Sequence, residues 1–482
     1  MTTPVRFTAL FLILILLFSG CGTAADTDTP PVHTDAGTDT AAPSVPDPVT
    51  VIDRTDSYKA LARTYLEALP EADFENASFV IASPRADVLR PEENSTVYSA
   101  AKYERNRQIE ERYNIQLVAS AVNEADYAEM LRASVKADEY FADLLMLPQY
   151  MIGTLAADNL LLNVNSMPFF RAEMPFFDKS SADAATIGDA TYAIAGPASF
   201  EESMQTAIFF NRDLFAENGL TLPYEDVYSG NWTWDRFFEI CASVPDINAS
   251  ANTEYASFST QYAADTLPAS AFYSCGETLI RKESGTPMLA FGEQSSNALS
   301  VLRSLYGEAS AHTDNETGIS RFYSGNSLFM IERLYVMDWM INGKINWGIL
   351  PLPKADAAQA DYVTLASPDT LFFGVQKNAS DVMSTAVILS ALNASSYGVI
   401  SDAYLTYTMH HILRDNDSAN MIEILAKTRT YDFAYSFGRV DGTLAASTYG
   451  ALASFSNGED LSALIDTDAV NAHLAAAFPT GN

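Results

Sequence analysis

Between residues 78 and 157 the chain repeatedly changes its hydrophobic period. Short apolar runs, SFVIA at 78–82, IQLVA at 115–119 and DLLML at 143–147, alternate with segments of helical period at 99–112, 126–137 and 149–157. Strands separated in this way by helices pair as parallel neighbours, with the helices laid over both faces of the sheet. The stretch therefore predicts an α/β fold built on a largely parallel sheet. Ligands of such sheets sit beyond the carboxyl ends of the strands, which directs attention to loops 83–93 and 148–150. With 482 residues the chain exceeds the roughly 250 to 300 that one hydrophobic core serves, so two lobes are expected.

The amino-terminal residues follow a different logic. Arg6 precedes an apolar run at 9–18, then Ser19, Gly20 and Cys21. That run is shorter than the roughly 20 residues a spanning helix needs, and it reads as a secretory signal peptide over residues 1–21. Small residues ahead of a cysteine resemble the lipobox of bacterial lipoproteins. The resemblance implies that Cys21 becomes a lipidated amino terminus on the extracytoplasmic face of the cell membrane, where acyl chains hold it stably. Residues 22–55, dominated by Thr, Asp, Ala and Pro, cannot bury enough apolar surface to fold and read as a tether with a coil reach of about 30 Å. Ordered sequence is expected from Asp56, placed to cap a helix with Tyr58, Leu61, Ala62, Tyr65, Leu66 and Leu69 on one face.

A net charge of −33 argues against a nucleic-acid backbone as partner and suits a solvated exported surface. After Cys21 only Cys241 and Cys275 remain. Two cysteines carry no spacing evidence, so a bridge and a pair of buried thiols are both open.

Residues 207–239, AIFFNRDLFAENGLTLPYEDVYSGNWTWDRFFE, read as a strand stopped by Asn211, then a short helix over 213–218 that Gly219 ends in a left-handed conformation. Thr233 is then placed to cap a second helix, with Asp235 in its first turn. The pieces FFNRDLF, then Gly-Leu, then TWDRFFE resemble, in that order, the start of the second lobe in extracellular solute-binding proteins of ABC importers, the family of the maltose-binding type. RFYSGNSLFMIERLYVMDWM at 321–340, INWGILPLPK at 345–354 and DTLFFGVQ at 369–376 extend the resemblance.

It implies a two-lobed, periplasmic-binding-protein-like α/β fold (type II), each lobe a mixed sheet flanked by helices, with a ligand cleft between them. The first lobe would be 56–195 and the second 196–368. The chain would return to the first lobe over 369–395 and end in a helical region, 396–482, shared between lobes. The first crossing falls around 189–202, where this chain carries an insertion before Gln205. The implied function is a monomeric, lipid-anchored receptor that delivers a small solute, a carbohydrate by first choice, to an ABC permease. The alternatives are an orphan sensor or scaffold of the same fold, and a hydrolase acting on surface polymers.

Enzyme constellations are missing from the sequence. It holds no His-Glu-x-x-His, no Gly-x-Ser-x-Gly and no Walker or Gly-x-Gly-x-x-Gly loop. Ser99-x-x-Lys102 lacks its usual partner motifs and reads as a helix start. The histidines are scattered, and Asp415 and Asp417 read as helix-start acids, so neither metal nor cofactor is expected. What remains is aromatic: 24 Tyr, 27 Phe and 4 Trp. Aromatic faces stack on the C–H faces of sugar rings. Phe209, Phe210, Phe237 and Phe238 read as core. Carried over position by position, the resemblance offers Arg85 after the first strand, Gln149 and Tyr150 after the third, Gln205 at the crossing and Trp232 beside a cleft loop. After the strand at 328–331 it offers Glu332, Tyr335 and Trp339, the last two on one face of a helix expected over 332–340.

Overall fold

The computed structural model describes residues 55–90, 95–263, 265–292, 295–307, 317–343, 345–413, 415–440 and 442–478. Cys21, the apolar run before it and the tether up to residue 54 lie outside the described residues. The first helix, Thr55–Glu67 (α1), begins one residue earlier than expected, so Asp56 lies in its first turn and is not the cap. Ala62 is its most deeply buried residue, while Tyr65 and Leu66 pack against the core of the first lobe.

Ala77–Ser83 (β1), Ile115–Ala121 (β2) and Leu144–Pro148 (β3) form parallel pairs with β1 in the middle. The crossovers are helices Val97–Tyr113 (α2) and Glu124–Ala137 (α3). Thr96 caps α2 and Ser99 bonds back to it, a capping box that accounts for the Ser-x-x-Lys spacing. Every residue of β3 is buried, as a strand covered on both faces requires. Where one helix was expected over 149–157, a 3-10 turn, Gln149–Met151, leads into the helix Ile152–Ala157. The short strand Ala193–Ile194 (β4) closes this part of the chain.

The second sheet starts with Thr206–Asn211 (β5), buried at all six positions. Asn211 ends the strand by accepting hydrogen bonds from the N–H groups of Asp213 and Leu214, and Gly219 sits at φ 65° after the helix Arg212–Glu217. Thr233 caps Trp234–Cys241 (α4) through the N–H of Arg236. Ala256–Ser259 (β6) follows, buried at all four positions. The Gly318 end of a neighbouring helix lies against its carboxyl end: Ser259 Oγ donates to the Gly318 carbonyl at 2.9 Å, and a Cβ on Gly318 would meet the Thr260 carbonyl oxygen at 2.1 Å.

Ser327–Arg333 (β7) and Trp347–Leu350 (β8) pair antiparallel with β5 on either side, and β6 adds to β7 in parallel, giving the order β8-β5-β7-β6. Phe210, Phe215, Trp232, Phe237 and Phe329 interlock by edge and tilted ring contacts over this sheet. Phe209, Phe210 and Phe237 are fully buried, and Phe238 is partly buried. Cys241 and Cys275 are buried free thiols in the same core.

The chain returns through Thr364–Leu365 (β9) to Leu371–Gly374 (β10), which pairs antiparallel with β3 and β4, making the first sheet β2-β1-β3-β10-β4. Helices Val382–Ser396 (α5) and Val399–His411 (α6) follow. Together they are apolar enough to cross a membrane, yet 78% of their most apolar window is buried in the protein, which makes them core helices. Asn416–Lys427 (α7), capped by Asp415, packs on β8. Arg429–Thr430 (β11) then pairs in parallel with β9, and Phe433–Phe437 (α8) packs on the turn after β3. The chain thus passes between the two sheets three times, at 195–205, 364–370 and 428–432. The fold is a two-lobed mixed α/β architecture.

Asp432 caps α8 from a fully buried position at the third crossing. Burial pushes its carboxyl up to about 6, against the pull of Tyr273 and the N–H groups of Ala434 and Tyr435. The folded state therefore holds this proton more tightly than the unfolded chain, whose carboxyl titrates near 3.8. The stability that this group contributes is full below pH about 4 and is lost as pH rises through about 6. Melting curves at pH 4 to 7 should show this fall in the native chain, and Asp432→Asn should flatten it.

Candidate ligand cleft

The carboxyl ends of β1 and β3 and the start of β10 lie at one end of the first sheet. At the matching end of the second sheet lie the start of β5 and the carboxyl ends of β6 and β7. Arg333, the last residue of β7, reaches Asp369, two residues before β10, at 3.3 Å. The guanidinium is largely buried and its Nε has no partner, while Asp369 is half exposed. Arg85, after β1, holds Asp87 at 3.1 Å and Glu201 of the first crossing at 3.3 Å. Burial pushes the Glu201 carboxyl up, countered by Arg85 and Lys102. Arg85, Glu124, Glu201, Asp369 and Thr370 line a cavity of about 90 Å³ here.

Tyr150 lies half-buried beside this floor. Its hydroxyl bonds the Glu124 carboxylate and its ring carries the Arg439 guanidinium at 3.9 Å. Burial, with Glu124 second, raises its phenol. Across the cleft floor, beyond Arg333, the expected helix over 332–340 is shorter. Glu332 and Arg333 are still strand, Leu334–Val336 is a 3-10 turn, and only Met337–Met340 is α-helical. The two-step turn still brings Tyr335 and Trp339 together, with ring centroids 5.4 Å apart. A third ring, Tyr262, stands 6.2 Å from Tyr335 and 5.9 Å from Trp339. Trp339 is 54% exposed and Tyr262 49%, so these two rings present open faces, while Tyr335 is partly buried against the core. Tyr262 was missed from sequence because the loop after β6 carries no periodic signal.

The remaining expected site residues are buried. Trp232 is wholly buried in the second-lobe core, where its indole N–H donates to the Pro351 carbonyl at 2.9 Å. Its neighbours are Phe237 and Phe329, so no face is left for a ligand. Gln149 is also wholly buried, its amide donating to the Asp432 carbonyl at 2.7 Å and to Ser436 Oγ at 3.0 Å, which ties the turn after β3 to α8. Gln205 is buried at the crossing, and its carbonyl accepts from the N–H of Leu334 at 2.9 Å. Glu332, fully buried, accepts the N–H groups of Gln261 and Ala263 and so fixes the loop that carries Tyr262. Burial raises its carboxyl against the opposing effect of those N–H groups. Among the described residues no cluster of His, Cys, Asp and Glu could hold a metal ion.

Two mixed sheets, three chain crossings and an aromatic and polar cleft define a two-lobed binding protein of the periplasmic-binding-protein-like class. The family model of bacterial extracellular solute-binding proteins matches residues 104–396, and the chain belongs to that family. Solved structures share the fold at low identity. The GacH receptor of Streptomyces glaucescens, solved unliganded and with acarbose, is 13% identical with a TM-score of 0.53, over 84% of this chain and 100% of that one. The galacto-N-biose/lacto-N-biose I-binding protein of the Bifidobacterium longum ABC transporter, in complex with lacto-N-biose, is 15% identical with a TM-score of 0.55, over 85% and 99%. UgpB from Mycobacterium tuberculosis, in complex with glycerophosphocholine, is 14% identical with a TM-score of 0.52, over 83% and 98%. No curated protein matches the chain significantly.

The geometry separates positioning residues from open ones. Glu332→Ala leaves two amide N–H groups buried without partners and should cost about 1 to 3 kcal/mol of stability. Trp339→Ala, at an exposed ring, should stay within about 0.5 kcal/mol of the parent. Denaturant unfolding of the ligand-free protein measures both.

Proposed function

We propose that the chain is a lipid-anchored receptor that captures a carbohydrate between its lobes and delivers it to an ABC permease. The observation that carries the reading is the aromatic trio of exposed Tyr262 and Trp339 with partly buried Tyr335, set beside the charged floor of Arg333, Asp369, Arg85 and Glu201. Aromatic faces supply apolar contact to the C–H face of a sugar ring, while guanidinium and carboxylate groups bond its hydroxyls. Arg333 Nε, Thr370 Oγ1 and Gln205 Oε1, buried without partners, are further polar atoms at the facing ends. Tyr150 closes the opposite wall.

The lobes are taken as 56–195 with 369–395, and 196–368, with 396–482 shared. A ligand that touches both lobes stabilises the closed form by its differential contacts, and the permease reads that form. Cys21 provides the anchor and the protein acts as a monomer without a cofactor. GacH is solved with acarbose, the Bifidobacterium longum protein with lacto-N-biose and UgpB with glycerophosphocholine, so sugar is favoured here by the two open rings beside Tyr335 and not by the fold.

A thermal-shift screen of maltotetraose, lacto-N-biose, acarbose and glycerophosphocholine tests the reading. A sugar at a hundred times its Kd should add about 2.7 kcal/mol of stability and be recovered unchanged. Trp339→Ala and Tyr262→Ala should each weaken its binding by about 1 to 3 kcal/mol. A shift from glycerophosphocholine alone would replace the sugar assignment, and consumption of the sugar would replace the receptor. For the anchor, Cys21→Ala should release the protein from the membrane fraction or leave it unprocessed. A correctly cleaved Ala variant that stays in the membrane would remove Cys21 from that role.

A further inference from the structure

The first crossing carries Glu201 and Glu202 in succession, and they serve opposite sides. Glu201 meets Arg85 on the cleft floor. Glu202 turns away to Arg429 at 3.4 Å and to the hydroxyl of Ser401. On that second side lies a cavity of about 400 Å³. Its walls are the rings of Tyr58 on α1, Phe176 and Phe177 in the first lobe, and Tyr397 and Tyr404 at the start of α6. The opposite wall is α7, which packs on β8 of the second sheet, so the cavity spans the junction between lobes. Gly398, at φ 69°, makes the wall possible, because a Cβ there would meet the Tyr58 ring at 2.2 Å.

The charges at its floor do not cancel. Arg429 pairs with both Asp178 at 3.1 Å and Glu202 at 3.4 Å, with side-chain exposures of 14%, 18% and 7%. Asp178 also accepts from Ser180 N–H at 3.1 Å and Oγ at 2.7 Å, so of two carboxylates sharing one guanidinium the excess negative charge rests on Glu202, in a largely desolvated place where a charge without a counter-ion is costly. The amino end of α6 is already met by Glu202, through Ser401, and by Asp402 in its first turn. Lys427 at the rim is paired with Glu423 at 3.1 Å, and Lys179 lies exposed in solvent.

We infer that this cavity is a second ligand site, distinct from the cleft, that takes a small organic ammonium with an aromatic or aliphatic body. The ammonium neutralises the excess carboxylate, and the surrounding ring faces attract both cation and body. The net charge of −33 raises the local concentration of cations around the whole molecule. The inference stands whatever the cleft binds.

Calorimetry on the full chain with three probes of one shape, phenethylammonium, 2-phenylethanol and phenylacetate, tests it. Phenethylammonium should saturate one site, with the alcohol at least about ten-fold weaker and the carboxylate weaker still. Glu202→Gln should bring ammonium and alcohol within about three-fold of each other. Ala426→Phe, which fills the cavity from α7, should abolish binding, and Tyr58→Ala, which removes a wall ring from α1, should weaken it whether or not the Phe variant folds. Equal binding of the three probes, binding of phenylacetate alone, or unchanged affinity in Tyr58→Ala and Glu202→Gln would overturn the site.

Discussion

Two separate sheets can act as one receptor only if the chain between them stays ordered while passing back and forth. Here that depends on a charged contact. Arg429, in β11 of the third crossing, lies over Phe200 at 3.6 Å and bonds Asp178 of the first lobe and Glu202 of the first crossing. Removing Arg429 would strand both carboxylates away from water, a larger cost than losing a surface pair. β9 and β11 add backbone pairing, so all three crossings are registered to each other before any ligand arrives. The cleft floor, with Arg333 against Asp369 and Arg85 against Glu201, is built on the other side of this junction.

Much of this was legible in the sequence where local chemistry decides the outcome. β3 announced itself because a strand covered on both faces is continuously apolar, and β1 and β2 because their apolar runs alternate with segments of helical period. Thr233 was readable as a cap because a side-chain oxygen there satisfies backbone N–H groups that nothing else in the helix can, while Asn211 was readable only as the end of its strand, not as the cap it also forms. β6 was not readable. Its residues, Ala, Ser, Phe and Ser, do not alternate in polarity, and the close approach of Gly318 at its end, a contact between distant segments, leaves no periodic trace. The shortened helix after β7 has a related cause: Glu332 remains in the strand because its carboxylate is committed to the loop after β6.

The same limit governed the candidate site. Loop positions at the sheet ends were placed correctly by topology, but topology does not say where a side chain is spent. Gln149, Gln205 and Glu332 sit at those ends and hold backbone, since a buried polar group bonds whatever lies nearest. Trp232 and Trp339 are indistinguishable as letters. One has a carbonyl, Pro351, within reach of its indole N–H and a ring of phenylalanines around it, and the other stands in solvent beside Tyr335. Only the three-dimensional neighbours separate core from platform, and the same neighbours brought in Tyr262.

The two thiols of the second lobe carry a practical meaning. Burial alone raises Cys241, and it pushes Cys275 up to about 12, so neither supplies the thiolate that alkylating reagents attack. Their folding needs no oxidant, and the described surface offers labelling chemistry no competing sulfur. A cysteine installed on the described surface, away from the aromatic cluster, would therefore be the one accessible thiol among the described residues and would take a fluorophore at a single chosen point.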